Sequence, residues 1–364
     1  MTIYMGLMSG TSMDGIDAAV IEVETQRLIG GLTRPYDQDV RDQLMTVASG
    51  IAVTPAKLWQ LHTVLGRQFA AAANDLLQLT NLKAHEVTAI GSHGQTICHD
   101  ATAAIPYTIQ LGCPHMISEL TGITVVADFR TRDLVIGGQG APFAPLYHHA
   151  LFAASYPALA IVNIGGISNV TFVSQDEPTS GYDIGPGNCL MDEWIHQQKN
   201  KGYDDNGAYA ASGTVIPALL SDMLADDYFK LPYPKSICKS YFSLNWLQAF
   251  LKPEYAPQDV QASLLALTAH TIAEAILASD YPIQRVAICG GGAHNNALLY
   301  KMRDLLPNVV ITSTKELGID ADFLEAMMFA WLAHQTLNKT PLDLSHITGA
   351  KKPAILGAIY PASL

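Results

Sequence analysis

The sequence predicts an α/β fold made of two lobes. The chain has 364 residues, which is more than one ordinary hydrophobic core accommodates. Apolar runs typical of strands alternate with longer amphipathic stretches typical of helices. Residues 3–23 and 159–173 share one pattern: an apolar run, a polar turn with glycine, and a second apolar run. Because this pattern recurs in the second half of the chain, we expect each copy to open one lobe.

The lobes are expected to meet near a glycine-rich loop. Residues 136–142 contain three glycines in four positions followed by a proline, which is typical of a linker or hinge. We therefore predict a first lobe of residues 1–135 together with about 345–364, and a second lobe of residues 136–344.

Composition limits the compartment and the partners. The formal charge of −12 and the pI near 5.3 argue against nucleic acid and anionic membranes, but not against ATP, which binds through local dipoles and Mg²⁺. The 5 cysteines form no CxxC pair, as expected of reduced thiols in the cytoplasm. The chain starts without the basic segment of a signal peptide, and no apolar run approaches the roughly 20 residues of a membrane helix.

The opening stretch, residues 6–17, is predicted to be strand, turn and strand. Gly10 and Gly15 can adopt positive φ, and successive backbone N–H groups in such a turn can bind an anion. The carboxylates would repel a bare anion but suit Mg²⁺ that arrives with a phosphate. The turn has no lysine and is not a Walker A loop, and a plain β-hairpin remains the alternative. The predicted phosphate-binding residues are Gly10, Thr11, Ser12, Met13, Asp14, Gly15, Ile16 and Asp17, with Asp14 holding Mg²⁺ through water.

Several further elements are expected in the first lobe. Gly30 and Gly31 are predicted to form a turn. Thr54 caps a predicted helix whose apolar stripe runs through residues 56–79. A short strand at 87–90 is expected to end in a polar loop at 91–96, where α/β folds place ligands.

Candidate ligand contacts follow the strand ends of this lobe. His93, Gln95 and Thr96 could hold sugar hydroxyls, or could only satisfy each other within a turn. Arg130, after the predicted strand 123–127, could fork onto a carboxylate or phosphate. The alternative for Arg130 is a surface ion pair with a nearby aspartate.

The second lobe repeats the opening pattern and adds a carboxylate. The turn in residues 163–169 offers a second phosphate site through Asn163, Gly165, Gly166, Ser168 and Asn169. Asp183 precedes a Gly-Pro-Gly turn and is a candidate general base, or else a turn-forming aspartate. Asn188 is expected to cap a helix over residues 189–197.

A third glycine-rich turn follows the predicted strand 285–289. Gly290, Gly291 and Gly292 lead through Asn295 into a predicted helix, which is a nucleotide-binding geometry. The dinucleotide pattern GxGxxG and its acidic ribose contact are absent, which argues against a Rossmann dehydrogenase. Glu325 lies in the first turn of a predicted helix over 322–337, where it either favours the helix dipole or hydrogen-bonds a substrate. These features predict an ATP-dependent phosphotransferase or ATPase.

A narrower resemblance rests on a set of motifs that runs nearly end to end. They are GLMSGTSMDGID at 6–17, SHGQT at 92–96, ADFR at 127–130, GGQGAP at 137–142, NIGGISN at 163–169, DIGPGN at 183–188 and CGGGAHN at 289–295. Together they resemble the bacterial anhydro-N-acetylmuramic acid kinase family of the sugar kinase, chaperone and actin superfamily. The resemblance implies two ribonuclease-H-like lobes of the actin/sugar-kinase type with Mg²⁺ and ATP in the interlobe cleft, in a homodimer.

The resemblance also implies a reaction. The family converts 1,6-anhydro-N-acetylmuramic acid to N-acetylmuramic acid 6-phosphate in peptidoglycan recycling. Asp183 would take a proton from the attacking water, and Arg130 would bind the lactyl carboxylate of the sugar. The other implied sugar contacts are Glu325, His93 and Thr96. The alternatives are a kinase for another amino sugar, or a nucleotide-gated ATPase that acts as a sensor or binding protein. A plain glycosidase needs two acids and no nucleotide, so the glycine turns argue against it.

Overall fold

A computed structural model describes residues 2–10, 13–232, 235–237 and 241–363. The strands in chain order are β1 (Ile3–Ser9), β2 (Gly15–Glu22), β3 (Arg27–Pro35), β4 (Val87–Asp100), β5 (Tyr107–Leu111), β6 (Val125–Ala127), β7 (Ala158–Ile164), β8 (Ile167–Ser174), β9 (Ser180–Pro186), β10 (Arg285–Cys289), β11 (Val310–Ser313) and β12 (Ala358–Tyr360).

The α-helices, again in chain order, are α1 (Gln38–Ala48), α2 (Pro55–Thr80), α3 (Pro114–Thr121), α4 (Phe129–Val135), α5 (Ala144–Phe152), α6 (Cys189–Lys199), α7 (Ala208–Ala211), α8 (Pro217–Leu224), α9 (Leu244–Gln248), α10 (Pro257–Leu277), α11 (Asn296–Leu305) and α12 (Leu324–Leu337). Short 3-10 helices include Asp227–Lys230 and Gly291–His294.

The chain divides into two compact units. The first comprises Met1–Tyr147 and Asp322–Leu364, and the second His148–Ala321. This division differs from the expected one because α12 lies in the first unit, where a Cβ on Gly6 of β1 would overlap the carbonyl oxygen of Ala326. The glycine loop at 137–140 also lies inside the first unit, since Gln139 N–H donates to the carbonyl of Thr348 at 3.0 Å.

The first unit is built on a mixed sheet. Its strand order is β12-β6-β4-β1-β2-β3, with β5 paired to β4. Strands β1, β2 and β3 are antiparallel, whereas β4 and β6 continue the sheet in parallel. Alternation along β1 separates two faces: Met5 and Leu7 pack in a core with α2, and the intervening Gly6 admits α12.

The second unit repeats this arrangement. Its order is β11-β10-β7-β8-β9, in which β7, β8 and β9 are antiparallel and β10 and β11 are parallel to β7. In both sheets an antiparallel three-strand meander is therefore extended in parallel from its first strand. The predicted α/β class with two lobes, each opened by the same hairpin, is confirmed.

Two predicted elements are wrong in detail. Gly30 and Gly31 lie within β3 rather than in a turn, because their missing side chains leave room for Thr80 and Phe323. The predicted loop at 91–96 is the middle of β4, which runs on to pair with β5. The helix expected after Thr54 is confirmed as α2, and the Thr54 side chain accepts a hydrogen bond from Lys57 N–H.

Helix α10 differs from the expectation that no apolar run approaches the length of a membrane helix. It is long and apolar enough to cross a membrane by length and composition, but 83% of that window is buried inside the protein. Its residues from Val260 to Ile276 supply much of the second unit's core, so it is a core helix. Among the described cysteines, Cys98, Cys113 and Cys189 are free thiols and Cys289 is buried in the core; Cys238 lies outside the described residues.

Candidate active site

The first predicted phosphate turn begins at the carboxyl end of β1 and is held by a side chain from β4. Ser9 Oγ lies 2.7 Å from the carbonyl oxygen of Gly15 and 2.7 Å from Oε1 of Gln95. Gln95 Nε2 donates to the carbonyl of Gly10 at 3.1 Å and to that of Thr96 at 3.2 Å. Gln95 is fully buried and its amide is used within the protein. Gln95 therefore supports the turn through its hydrogen bonds to Ser9 and Gly10.

The backbone of this turn differs from the expectation for its glycines. Met13 is the residue in the left-handed region, with φ of 56°, and its N–H closes the turn on the carbonyl of Gly10 at 3.2 Å. Gly15 does not have positive φ; it is required because a Cβ there would lie 2.5 Å from a carbonyl oxygen of β3. Ile16 has its side chain in the core, so its backbone alone can face a ligand. Thr11 and Ser12 lie outside the described residues.

The two carboxylates of the hairpin have different surroundings. Asp14 is exposed, and its Oδ1 forms an ion pair with Arg41 Nη2 at 2.7 Å. Asp17 is partly buried, and its Oδ1 accepts from Thr33 Oγ1 at 2.6 Å. Burial raises the pKa of Asp17, and the hydrogen bond from Thr33 opposes that rise. Within the described ranges, no group of three or more His, Cys, Asp or Glu side chains could enclose a metal ion.

Arg130 at the start of α4 and His93 in the middle of β4 form a largely buried pair. Arg130 Nε donates to His93 Nε2 at 2.9 Å, and Nη1 donates to the carbonyl of Gly140 at 2.7 Å. A guanidinium cannot accept a hydrogen bond, so neutral His93 must carry its proton on Nδ1. Burial, and then the charge of Arg130, lower the pKa of His93 well below its usual range. Burial lowers the pKa of Arg130 to about 10, against the opposing charges of Glu325 and Asp133.

The remaining predicted sugar contacts lie in the same unit. Glu325 is exposed in the first turn of α12, and its negative charge raises the pKa of Arg130. Thr96 is partly exposed, and its Oγ1 accepts from Gln110 Nε2 at 3.2 Å. Asp128 and Asp133 form no ion pair with Arg130; Asp133 instead accepts from Gly140 N–H at 2.6 Å.

A cavity of about 340 Å³ borders His93 in the first unit. It lies where the middle of β4 and the end of β6 meet the start of α3, and its lining includes His62, Asp128 and Tyr360. Its volume lies in the range of small-molecule sites and is sufficient for a monosaccharide.

Asn163, Asn169 and Asp183 form a polar row across three strands of the second unit. Asn163 on β7 is paired with Asn169 on β8, and Asn169 is paired with Asp183 on β9. Residues directly opposite each other in antiparallel strands present their side chains to one face, with Cβ atoms about 5 Å apart. All three residues are partly exposed. The sheet thus presents two amides and a carboxylate in line.

The loop after β7 interlocks with the Gly-Pro-Gly turn, residues 185–187, which begins inside β9. The carbonyl of Gly166 accepts from Gly187 N–H at 2.9 Å, and that of Gly165 accepts from Asn188 N–H at 2.7 Å. Ser168 is fully buried, and its Oγ donates to carbonyls of the same turn. Asn188 does not cap α6 as predicted, because its Nδ2 donates at 3.1 Å to the carbonyl of Ile164 instead.

The third glycine turn packs directly against this loop. Gly290 has φ of 74°, and a Cβ there would overlap Asn163 Oδ1. A Cβ on Gly292 would overlap Ile164. A Cβ on Gly291 would lie 3.5 Å from Asn188 Nδ2, which is an ordinary contact. Asn295 Oδ1 accepts from Leu298 N–H at 3.1 Å and caps α11. The glycines predicted for nucleotide binding in the second unit therefore lie together at the carboxyl ends of β7 and β10.

Asp183 is fixed by residues that the sequence did not single out. Its Oδ2 accepts from Ile237 N–H at 3.0 Å, and its backbone bonds to Lys235 and Tyr228. Burial raises the pKa of Asp183, and the bond from Ile237 opposes that rise. No signal in the sequence pointed to these partners. The same holds for Gln95 as a support of Gly10.

The comparisons with known proteins match the whole chain. A sequence profile of the anhydro-N-acetylmuramic acid kinase family matches residues 2–362. A protein of that name from Legionella pneumophila (strain Paris) is 58% identical over 361 residues, and one from Aliivibrio fischeri (strain ATCC 700601 / ES114) is 43% identical over 364 residues. Each alignment covers 99% of this chain and 99% of the relative.

One solved structure supports the fold alone. The crystal structure of (R)-2-hydroxyglutaryl-CoA dehydratase component A from Acidaminococcus fermentans superposes with a TM-score of 0.50 at 11% identity, over 93% of this chain and 100% of the other.

The fold, the glycine turns without a Walker lysine and the relatives together define a phosphotransferase of the sugar kinase class. Within that class, the chain belongs to the anhydro-N-acetylmuramic acid kinase family.

Proposed function

We propose that the chain is an ATP-dependent kinase that hydrolyses the 1,6-anhydro ring of 1,6-anhydro-N-acetylmuramic acid and phosphorylates O6. The product is N-acetylmuramic acid 6-phosphate, and the process served is peptidoglycan recycling. The name shared by relatives at 43% and 58% identity supports this substrate. The observation that carries the chemistry is the partly buried Asp183 carboxylate, in line with Asn163 and Asn169 beside the glycine turns.

Asp183 acts as the general base. It accepts a proton from a water molecule whose oxygen attacks the anomeric carbon of the sugar. The bond between that carbon and O6 breaks, and O6 keeps the electron pair. O6 then attacks the γ-phosphorus of ATP, and ADP leaves. The raised pKa of Asp183 suits this task, because it makes the carboxylate a better proton acceptor than an ordinary aspartate.

The phosphates and the adenosine are assigned to the glycine turns. Backbone N–H groups in such turns stabilise phosphate charge without reorganising. The proposed contacts are Gly10, Thr11, Ser12, Met13, Asp14, Gly15, Ile16 and Asp17 in one unit, and Asn163, Gly165, Gly166, Ser168, Asn169, Gly290, Gly291, Gly292 and Asn295 in the other.

Arg130 is proposed to bind the lactyl carboxylate of the sugar. A guanidinium has five N–H donors, and Arg130 gives one each to His93 and Gly140, which leaves donors for a ligand. Its partner His93 lines the cavity of this unit, whereas Arg130, Thr96 and Glu325 are not among the residues that line it. Thr96 and Glu325 are proposed to contact sugar hydroxyls, with Gln95 acting through the turn that it holds.

Mg²⁺ is proposed as the metal, held through water by Asp14. The donor chemistry fits, because Mg²⁺ in phosphate sites needs only one or two carboxylates besides waters and phosphate oxygens. Asp14 is exposed and already lies in an ionic contact, whereas Asp17 is partly desolvated. Bound Mg²⁺ would supply charge neutralisation of the phosphates. Asp14→Asn should raise the Mg²⁺ concentration for half-maximal rate more than Asp17→Asn does; the reverse order would move the assignment to Asp17.

The direct test is one reaction in ¹⁸O-water with Mg-ATP and the anhydro sugar, analysed by mass spectrometry. The proposal expects one ¹⁸O at the anomeric carbon of a 6-phosphosugar. ATP consumption without a sugar product would overturn it in favour of an ATPase sensor. Asp183→Asn should lower kcat by about 10²- to 10⁴-fold while ATP still binds. A kcat within a few-fold of the original would refute the base assignment.

The assembly and the compartment are also proposals. We infer a homodimer in the cytoplasm, on the family resemblance and on the free thiols of Cys98, Cys113 and Cys189. Light scattering on the purified protein at several concentrations gives the mass directly, and a monomer at all of them would exclude the dimer.

A further inference from the structure

A single stretch of chain beside β9 holds Asp183 through three hydrogen bonds. Tyr228, in the 3-10 helix Asp227–Lys230, donates its hydroxyl to the carbonyl of Asp183 at 2.6 Å. Asp183 N–H donates to the carbonyl of Lys235 at 3.0 Å. Ile237 N–H donates to Oδ2 of the Asp183 carboxylate at 3.0 Å. Both the backbone and the side chain of Asp183 are therefore fixed, by Tyr228, Lys235 and Ile237.

These bonds are possible because β9 is the edge strand of its sheet. At Asp183 the backbone N–H and C=O point away from β8, where an edge strand would otherwise leave them unpaired. The 3-10 helix is seated close to the strand, since Phe229 fills the space that a Cβ on Gly185 would need. Tyr228 itself is buried, and its ring packs 5.7 Å from that of Phe242.

We propose that Tyr228 and the backbone N–H of Ile237 are positioning groups that fix the Asp183 carboxylate, so that Oδ1 is the oxygen that takes the proton. This inference rests on the proposed function, in which Asp183 is the base. Within the described ranges Oδ2 is occupied by Ile237, and no residue donates to Oδ1. A carboxylate held at one oxygen presents the other in a defined direction, which general-base catalysis needs before a matched pKa is useful.

The groups around Asp183 determine its pKa. Lys235 lies on the same stretch, but its Nζ donates to the carbonyl of Tyr228 at 3.1 Å and sits 4.5 Å from the Tyr228 ring centroid. Asn169, opposite on β8, carries no charge. Burial raises the pKa of Asp183, and the Ile237 hydrogen bond is what lowers it. Loss of that bond should therefore raise the pKa and move the acid limb of the kcat profile to higher pH.

The first experiment compares two tyrosines of one aromatic cluster. Tyr228→Phe removes the hydroxyl that holds the Asp183 carbonyl, and Tyr241→Phe removes one that donates to Asp226 instead. We expect Tyr228→Phe to lower kcat about fivefold, as the loss of one hydrogen bond implies, with KM for ATP unchanged. Tyr241→Phe should leave kcat and KM as they were. Equal losses of kcat in both variants would mean that the cluster is merely structural and would overturn the proposal.

The second experiment removes the Ile237 N–H alone. Replacement of Ile237 by its α-hydroxy acid exchanges the N–H for an oxygen and keeps the side chain, whereas Ile237→Ala keeps the N–H. The acid limb of kcat should move to higher pH in the first variant and stay in place in the second. An unmoved limb in the hydroxy-acid variant, in a protein whose Asp183→Asn form is inactive, would overturn the positioning role. An active Asp183→Asn protein would instead refute the proposed base itself, so the two failures are distinguishable.

Discussion

Asn169 and Asp183 lie directly opposite each other on neighbouring strands of the second sheet. Because Asp183 directs its N–H and C=O to Lys235 and Tyr228, the two residues form a non-hydrogen-bonded pair, the kind whose side chains come closest. The amide of Asn169 is thus the nearest cross-strand neighbour of the proposed base, and this neighbour carries no charge.

Replacing Asn169 by aspartate should disable the base by repulsion. A second carboxylate about 5 Å away disfavours the charged form, so the pKa of Asp183 should rise. Asn169→Asp is expected to lose kcat near neutral pH and to regain part of it at higher pH. Asn169→Ser removes the amide without adding charge, and its acid limb should not move. A pH–rate profile of both variants checks this, and identical profiles would argue that the two side chains do not interact.

The sequence predicted the architecture because its signals are local. The hairpin at 3–23, its repeat at 159–173 and the helix after Thr54 each depend on neighbouring residues, and all three are present. The prediction of a loop at 91–96 was wrong, because Gly91 and Gly94 are typical of turns but lie here within β4. Gly91 instead admits the backbone of Phe329 from α12, a contact that only tertiary structure creates.

The supports of the candidate site could not be predicted for the same reason. Gln95 reaches Gly10 across 85 positions of sequence, and Ile237 reaches Asp183 across 54. Neither pair has a spacing that a sequence pattern would reveal. Ile237 acts through its backbone N–H, which every residue except proline also has, so its identity gives no signal. The side chain of Arg130 was recognisable as an anion ligand, but its bond to His93 was not.

Arg130→Ala should weaken sugar binding more than ATP binding. The substitution removes the proposed partner of the lactyl carboxylate and the donor that fixes the proton of His93 on Nδ1. Loss of a charged hydrogen bond corresponds to about 10- to 100-fold in KM for the sugar. Arg132→Ala, on the exposed face of the same helix, should change neither KM. Steady-state kinetics with each substrate varied in turn decide the matter, and equal effects on both KM values would remove the lactyl role.

Gly290→Ala should lower the affinity for ATP and the stability together. Gly290 has φ of 74° and ψ of 179°, a region that is essentially limited to glycine, and a Cβ there would overlap Asn163. Gly318 also has positive φ, 85°, but a Cβ there would meet nothing within 4 Å. Its ψ of 9° places Gly318 in the left-handed helical region, so Gly318→Ala supplies a left-handed strain of about 1–2 kcal/mol without the overlap.

The comparison separates a left-handed φ alone from the glycine-only conformation and the overlap with Asn163 that Gly290 combines. We expect Gly290→Ala to lose more thermal stability than Gly318→Ala and to bind a non-hydrolysable ATP analogue at least about tenfold more weakly by calorimetry. Gly318→Ala should bind the analogue normally. If both variants bound it normally, the turn after β10 would have no role in nucleotide binding.

His148 should make the stability of the second unit sensitive to acid. It is buried, its Nδ1 lies 2.9 Å from Thr171 Oγ1, and burial lowers the pKa of His148 to about 4. Between about pH 6.5 and 4 the unfolded chain binds a proton that the folded protein does not, so stability is lost as the pH falls. The full shift corresponds to about 3 kcal/mol. His148→Gln cannot titrate and should lose less thermal stability between about pH 7 and 4.5 than the unmodified protein does.

The neighbouring histidine provides the control for this prediction. His149 is exposed, and its Nδ1 makes a similar contact, 2.8 Å from Thr179 Oγ1. His149→Gln should therefore keep the acid sensitivity of the unmodified protein. Calorimetric melting of all three proteins across this pH range separates the two sites. Equal acid sensitivity in His148→Gln and His149→Gln would show that burial of His148 does not control the response, and that the proton is taken up elsewhere.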